Sequence, residues 1–376
     1  MKLISDRPSD PFLLNAWANE ISTLLGETET TLIELLTRTI RKNKGASSWQ
    51  TLKLAQTARL HADLARLLDQ DFQTILDTAE QILNDALQAG QGMARNHLKN
   101  LTTPTPIPLP AAIQLAIHQI AADTLTAITS IKPVVLREIA DEYQEVMASP
   151  VTDLTLGIYA RREATQKALN TFASRGITGF TDKSGRRWSM DAYAEMATRA
   201  GIMNSYRAGY HTNLALNGQD LVIVSDHNYE CDKCAPWENK IISLTGQTPT
   251  GTITLQHATN DNETVQVQVT GTLQQAEEQG LFHPNCGHTT ALYIPGITPI
   301  FPAKHDPATY KASQEQRAWE REIRKQKRIK AAALTKEAQK EPNKQIRKAQ
   351  AAIRELIADH PELSRRPSRE QIKTAH

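Results

Sequence analysis

Cys231-Asp232-Lys233-Cys234 and, about fifty residues later, His283-Pro284-Asn285-Cys286-Gly287-His288 decide how the middle of this chain folds. Together they hold all three cysteines of a 376-residue sequence. A Cys-x-x-Cys turn aims both sulfurs to the same side, and thiolates joined by an imidazole suit tetrahedral Zn²⁺. The pattern predicts a Zn²⁺ staple between two sequence-remote loops. Cys231, Cys234 and Cys286 are its firm ligands, and either His283 or His288 completes it; spacing leaves both open. Four protein donors would close the site, as in structural rather than catalytic zinc.

Two plainer readings stand beside the staple. Inert buried thiols are one. A redox pair is the other, but that chemistry wants its Cys-x-x-Cys on a βαβ unit. Here the motif follows a strand-like run, Leu221-Val222-Ile223-Val224, and leads into Ala235-Pro236-Trp237. Three cysteines also cannot close a disulfide framework. Between the two clusters, Ile253 and Leu255, then Val265, Val267 and Val269, alternate with polar residues around Asn260-Asp261-Asn262, which predicts a hairpin. A short helix through Leu273 and Ala276 should end at Gly280. The metal is therefore expected at the base of a hairpin, fixing its register.

Upstream, the texture is helical. Trp17, Ile21, Leu24, Leu25, then Leu32, Leu35, Leu36, Ile40, recur at steps of three and four. A break at Lys42-Asn43-Lys44-Gly45 follows, and the pattern resumes from Leu60 to Leu87. Prolines 104, 106, 108 and 110 make residues 102–110 a stiff connector. Helix returns, is interrupted at Lys132-Pro133, and continues to about Ala148. A helix from about Thr155 closes at Gly176. Thr178 to Met190 is expected to form a hairpin turning at Asp182-Lys183-Ser184-Gly185. A further helix, capped by Ser189, should run from about Asp191 to Asn217-Gly218.

These elements make an α+β protein in three parts: a helical region at 1–150, a small mixed domain at 151–303, and a basic helical arm at 304–376. The arm carries 19 Lys+Arg against 10 Asp+Glu, so it holds a strongly positive balance within a chain whose net charge is only +2. An acidic body with a basic tail is a layout for meeting nucleic acid or an acidic partner. Arg321 to Lys330 is so polar that the helix is expected to bury little, with Pro342 and Pro361 interrupting it further. The opening residues turn polar too soon for a secretory signal. The most apolar long window, Ala111 to Ile131, contains Gln114, His118, Gln119 and Asp123, so no membrane span is expected. The chain reads as soluble and kept in a reducing compartment.

Several of these stretches, taken in order, carry a family likeness. Phe180-Thr181-Asp182-Lys183-Ser184-Gly185-Arg186-Arg187-Trp188, Tyr193-Ala194-Glu195-Met196-Ala197-Thr198-Arg199, Cys231-x-x-Cys234-x-Pro236-Trp237 and Leu281-Phe282-His283-Pro284-Asn285-Cys286-Gly287-His288 resemble the phage minor capsid protein 2 family, relatives of the Mu F-like head-morphogenesis proteins. The resemblance covers roughly residues 150–295. It departs at Gly287, where the family pattern carries Arg. Related proteins end the motif in Cys where this chain has His288, which favours His288 over His283 as the fourth ligand. The resemblance implies a minor component of the virion, inside the head near the portal vertex and present in the host cytoplasm during assembly. Its implied partners are the portal protein, other capsid proteins and packaged DNA. Residues 311–376 would hold DNA without base specificity, by displacing counterions from its phosphates.

The rival class is an enzyme. His283, His227, Asp226 and Glu238 could form an acid–base set around a metal, in a nuclease or a module associated with ADP-ribosyltransferases. No nucleophile elbow, Walker loop, HExxH or deaminase signature accompanies them. A sequence-specific zinc finger would need a basic helix directly after the second cluster, and none follows.

Overall fold

The computed structural model describes residues 11–42, 49–99, 109–148, 158–181, 185, 187–226, 231–284, 286–302 and 307–371. Helices and strands combine in the expected α+β manner. They group into two compact units. One gathers the described parts of residues 1–18, 80–124 and 196–311, and the other those of 19–79, 125–195 and 312–376. Neither is a continuous stretch of chain, unlike the three divisions read from sequence texture.

The helical unit draws on α1 (Pro11–Lys42), α2 (Trp49–Leu98), α3 (Ala111–Thr129), α4 (Ile131–Ala148) and α5 (Ile158–Arg175). Its apolar stripes have the three- and four-residue spacing of the sequence. Ile21, Leu25, Leu32, Leu36 and Ile40 of α1 are buried, as are Leu64, Leu68, Phe72 and Ile75 of α2. Asn43-Lys44-Gly45 and most of the proline connector lie outside the described residues. The break before α4 falls at Ser130. Pro133 sits in the first turn of α4, where its missing N–H leaves no helical bond unmade.

α5 stops where Gly176 turns left-handed, at φ +74°, its N–H donating to Phe172 O at 3.1 Å. The corner is built on a buried ion pair. Glu29 of α1 accepts from the Ile177 N–H at 2.8 Å, and its other oxygen lies 3.5 Å from the Arg328 guanidinium. Arg328 Nε also donates to Ala173 O at 3.1 Å, satisfying a carbonyl at the helix end. Any Cβ at Gly176 would stand 2.8 Å from Glu29 Oε1. The expected hairpin follows as β1 (Thr178–Thr181) and β2 (Arg187–Ser189), antiparallel. Its turn residues 182–184 are outside the described set. Phe180 stacks on Tyr193 at 4.4 Å between centroids, so two residues of the family-like motif pack on each other.

The basic region corrects the expectation. It forms α8 (Pro307–Ala331), α9 (Lys340–Asp359) and α10 (Pro367–Glu370). Pro342 lies in the first turn of α9 rather than breaking it. Within α8, Gln316, Glu320, Ile323, Gln326 and Arg328 are buried. Burial is possible without an apolar stripe because each polar group can be matched. Gln316 donates to Ser364 O at 2.9 Å, Arg324 to Arg369 O at 2.8 Å and Lys327 to Glu370 O at 2.6 Å. Part of the positive charge of this segment, at Arg324, Lys327 and Arg328, is therefore spent inside the fold.

The sheet unit contains α6 (Met190–Leu216) from Met196 onward, then β3 (Leu221–Val224), β4 (Ile241–Ser243), β5 (Gly251–His257), β6 (Asn260–Thr272), α7 (Leu273–Glu278) and β7 (Thr290–Leu292). Strand order is β5-β6-β4-β3-β7, with β4–β6 parallel and the other pairs antiparallel. All four residues of β3 are buried, as a central apolar run should be. The β5–β6 hairpin is the expected one, and Thr272 and Gln275 form a reciprocal cap on α7. α6 crosses α2 closely: a Cβ on Gly90 would meet Tyr206 O at 2.0 Å, and one on Gly209 would meet Leu87 O at 2.3 Å. Two glycines thus let the backbones touch. No described helix is long and apolar enough to cross a membrane.

Candidate metal centre

Topology explains why the two cysteine clusters meet. β4 and β7 flank β3 on either side and both run antiparallel to it. Each therefore begins where β3 ends: Thr290 pairs with Val224, and Ile241 with Ile223. The connection from β3 to β4 carries Cys231 and Cys234. The chain running into β7 carries His283, Cys286 and His288. One strand end gathers donors separated by some fifty residues.

Both clusters are tight turns of the same form. Cys234 N–H donates to Cys231 O at 2.9 Å, and Cys286 N–H to His283 O at 2.8 Å. The donor atoms fall into two triples, Cys231–Cys234–His283 and Cys234–Cys286–His288, each within 4.8 Å. Cys234 belongs to both. Its sulfur lies 3.6 Å from that of Cys286. His283 Nε2 is 3.1 Å from Cys231 Sγ, and His288 Nδ1 is 3.2 Å from Cys286 Sγ. The five sequence-predicted residues are thus one cluster. Three soft sulfurs and imidazole nitrogens form a donor set suited to a borderline-soft divalent ion.

Outer partners hold both rings. His283 Nδ1 meets Pro284 O at 2.7 Å, and His288 Nε2 meets Glu238 Oε1 at 2.5 Å. Orientation of this kind is what ligating histidines use, with a carbonyl or carboxylate behind the ring. His288 and Glu238 are 4% and 1% exposed, whereas His283 is half-buried. Burial alone would lower the pKa of His288, but Cys286 and Glu238 outweigh it and raise it to about 9. Hydrogen bonding from Cys234, with His288 adding to it against burial, draws Cys286 toward thiolate and correspondingly raises Cys234. Only Cys286 is drawn toward the anion that a cation needs; Cys234 and His288 would each release a proton on binding one.

A third element supports the cluster, and sequence reasoning missed it. Arg207 of α6 is buried and donates to His288 O at 3.2 Å and Asn204 Oδ1 at 2.5 Å. Its guanidinium lies 4.1 Å from the Phe282 ring centroid. Phe282 holds a left-handed φ of 61°, unusual for a bulky side chain. Burial brings the pKa of Arg207 down to about 10, with the charges of Cys286, Glu277 and Cys234 opposing that shift. A guanidinium therefore attends the second turn from α6, although position 287 is Gly. Nearby, Tyr210 OH accepts from Leu292 N–H at 2.8 Å and contacts His97 Nδ1 at 2.7 Å, and His211 Nε2 meets Thr290 Oγ1 at 2.7 Å. The available signal was Asn204, Arg207, Tyr210 and His211 recurring at helical spacing on one side of α6.

The acid–base set is arranged differently from its sequence reading. Glu238 serves His288 rather than His283, and Asp226 accepts from Asn239 Nδ2 at 2.8 Å. His227 and Asn285 lie outside the described residues.

The family model for phage minor capsid protein 2 matches residues 10–358. The chain belongs to the phage minor capsid protein 2 family. That match reaches far beyond residues 150–295, so the N-terminal helices and most of the basic region belong to the family unit too. A structural protein of Lactococcus phage LL-H is 24% identical over 340 residues, spanning 86% of this chain and 88% of the relative. No solved structure matches. As a minor capsid protein 2 family member the chain has a structural role in a bacteriophage.

Proposed function

We propose that the protein is a minor head component of a tailed phage, set inside the capsid at the portal vertex, in which the Cys/His cluster is architectural. Cys231, Cys234, Cys286 and His288 would hold one structural Zn²⁺, with Glu238 behind His288 and His283 outside the ligand set. The convergence of two sequence-remote turns at the end of β3, with donors facing donors and the rings held from behind, carries this reading. Bound zinc would supply charge neutralisation and a crosslink between the β3–β4 connection and the approach to β7. Residues 151–303 then act as the metal-stapled domain, between the helical region at 1–150 and the basic region at 304–376.

For DNA, α9 gives the support. Lys340, Lys344, Arg347 and Lys348 are exposed along one side, opposite buried Ala349 and Ile353. Such a row suits phosphates without reading bases.

Purified full-length protein is expected to carry about one zinc per chain, and Cys286→Ala to lose it. In infected cells the same variant should be depleted from virions, and cross-linking of wild-type virions should join this chain to the portal. Wild-type protein free of zinc would refute the staple; cross-links to major coat protein alone would refute the portal placement.

A further inference from the structure

Between α1 and the carboxyl end of α8, within the helical unit, lies a cavity of about 450 Å³. Arg38 and Arg41 enter it from α1, and Lys327 and Lys330 from α8. The carboxylate facing these four cations across the lining is Glu34. Two of the cations have structural work. Arg41 donates to Ala333 O at 3.2 Å, satisfying a carbonyl beyond the helix end, and Lys327 donates to Glu370 O at 2.6 Å. Arg38 and Lys330 have no side-chain partner among the described residues.

Like charges collected in a concave surface raise its potential and disfavour one another. Lys327 shows the effect: burial, then Lys330, hold its ammonium below the usual range, with Glu370 opposing. The lining has no aromatic residue, and its apolar side chains are Ala331 and Ala333. Its size falls within the roughly 300–1,000 Å³ typical of small-molecule sites. Guanidiniums and ammoniums converging from two helices match a group with several anionic oxygens and more than one negative charge. A lone carboxylate would leave most of that positive charge unbalanced.

We propose that this cavity is a binding site for a phosphate-bearing anion, engaged through Arg38 and Lys330 with Arg41 and Lys327 behind them. The phosphate comes either from a free polyphosphate or from a nucleic-acid backbone. Only the second source rests on the DNA reading given above.

The test uses full-length protein and Arg38→Gln/Lys330→Gln, with each single variant beside it and circular dichroism to verify the fold. Calorimetry with sodium pyrophosphate should show binding by the wild type that weakens at least about tenfold in the double variant and by less in each single. Anisotropy with a short DNA duplex at low salt then separates the sources. A parallel loss of DNA affinity, with a salt slope shallower by about one to two units, assigns the site to nucleic acid. Unchanged DNA affinity beside lost pyrophosphate binding assigns it to a free polyphosphate. No pyrophosphate binding by the wild type, or equal binding by the double variant, overturns the proposal while leaving the α9 reading intact. Competition by hexaglutamate as strong as by pyrophosphate overturns its phosphate specificity.

Discussion

The end of β3 and the corner after α5 face the same problem: each must hold together segments far apart in the chain. They answer with different chemistry. At β3, sulfur and imidazole donors from two turns come together around Cys234, with Cys286 drawn toward thiolate. At the α5 corner, Glu29 and Arg328, 299 residues apart, lie in a buried ion pair that also bonds backbone at Ile177 and Ala173. On the zinc reading the first device takes a third party, whereas the second joins opposite charges directly. A buried pair of that kind adds little net stability but makes loss of either member expensive, because the survivor stays charged without its ionic counterpart. The two regions should therefore fail differently.

On the zinc reading, removing the metal is expected to have the largest effect. Chelation or Cys234→Ala should destabilise the sheet unit by several kcal/mol, since binding energy at a structural zinc is about 10–16 kcal/mol and is largely folding energy. Denaturant unfolding with and without a chelator measures it, and the α5 corner should be indifferent to the chelator. Arg328→Ala comes next, at about 3–5 kcal/mol by the same method. The paired change Glu29→Leu/Arg328→Met should recover most of that loss, and failure to recover would mean the corner depends on the charges themselves. Gly209→Ala places a methyl group 2.3 Å from Leu87 O and should cost about 1–3 kcal/mol, lowering metal retention as α6 shifts.

The smallest effect depends on pH. Asp220, at the start of β3, accepts from Ser243 Oγ at 2.6 Å, Thr245 N–H at 2.7 Å and Thr248 N–H at 3.0 Å. Burial would raise its pKa, but these bonds outweigh it and bring it down to about 2. A carboxylate lowered on folding stabilises fully above its unfolded value, near about 3.9, and that stability is lost as pH falls toward the folded value. Asp220→Asn should therefore cost about 1–2 kcal/mol at neutral pH, given partial exposure, and flatten the stability profile between about pH 4 and 2. An unchanged acid limb would remove Asp220 from the account.

What could be read in advance follows the same division. The meeting of the two Cys/His motifs was legible because cysteine is rare here and two short motifs name their own donors. β3 and the β5–β6 hairpin were legible because an apolar run and an alternation are local signals, whereas β4 and β7, three residues each, were too short to announce themselves. Glu29 was not, since a glutamate inside a helix looks like any solvated residue until its partner is known. Arg328 sat in a basic run that suggested an exposed arm, and only the fold reveals that polar matching buries it. Arg207 was hidden for a similar reason: besides its α6 neighbour Asn204, it serves a turn reached through the sheet. Periodicity reports faces; it does not report which distant charge those faces meet.

Zinc-edge X-ray absorption on protein purified without chelators addresses the staple most directly. One zinc per chain should appear with three sulfurs at about 2.3 Å and one nitrogen at about 2.0–2.1 Å. A metal-free protein whose three cysteines all react freely as thiols would contradict it.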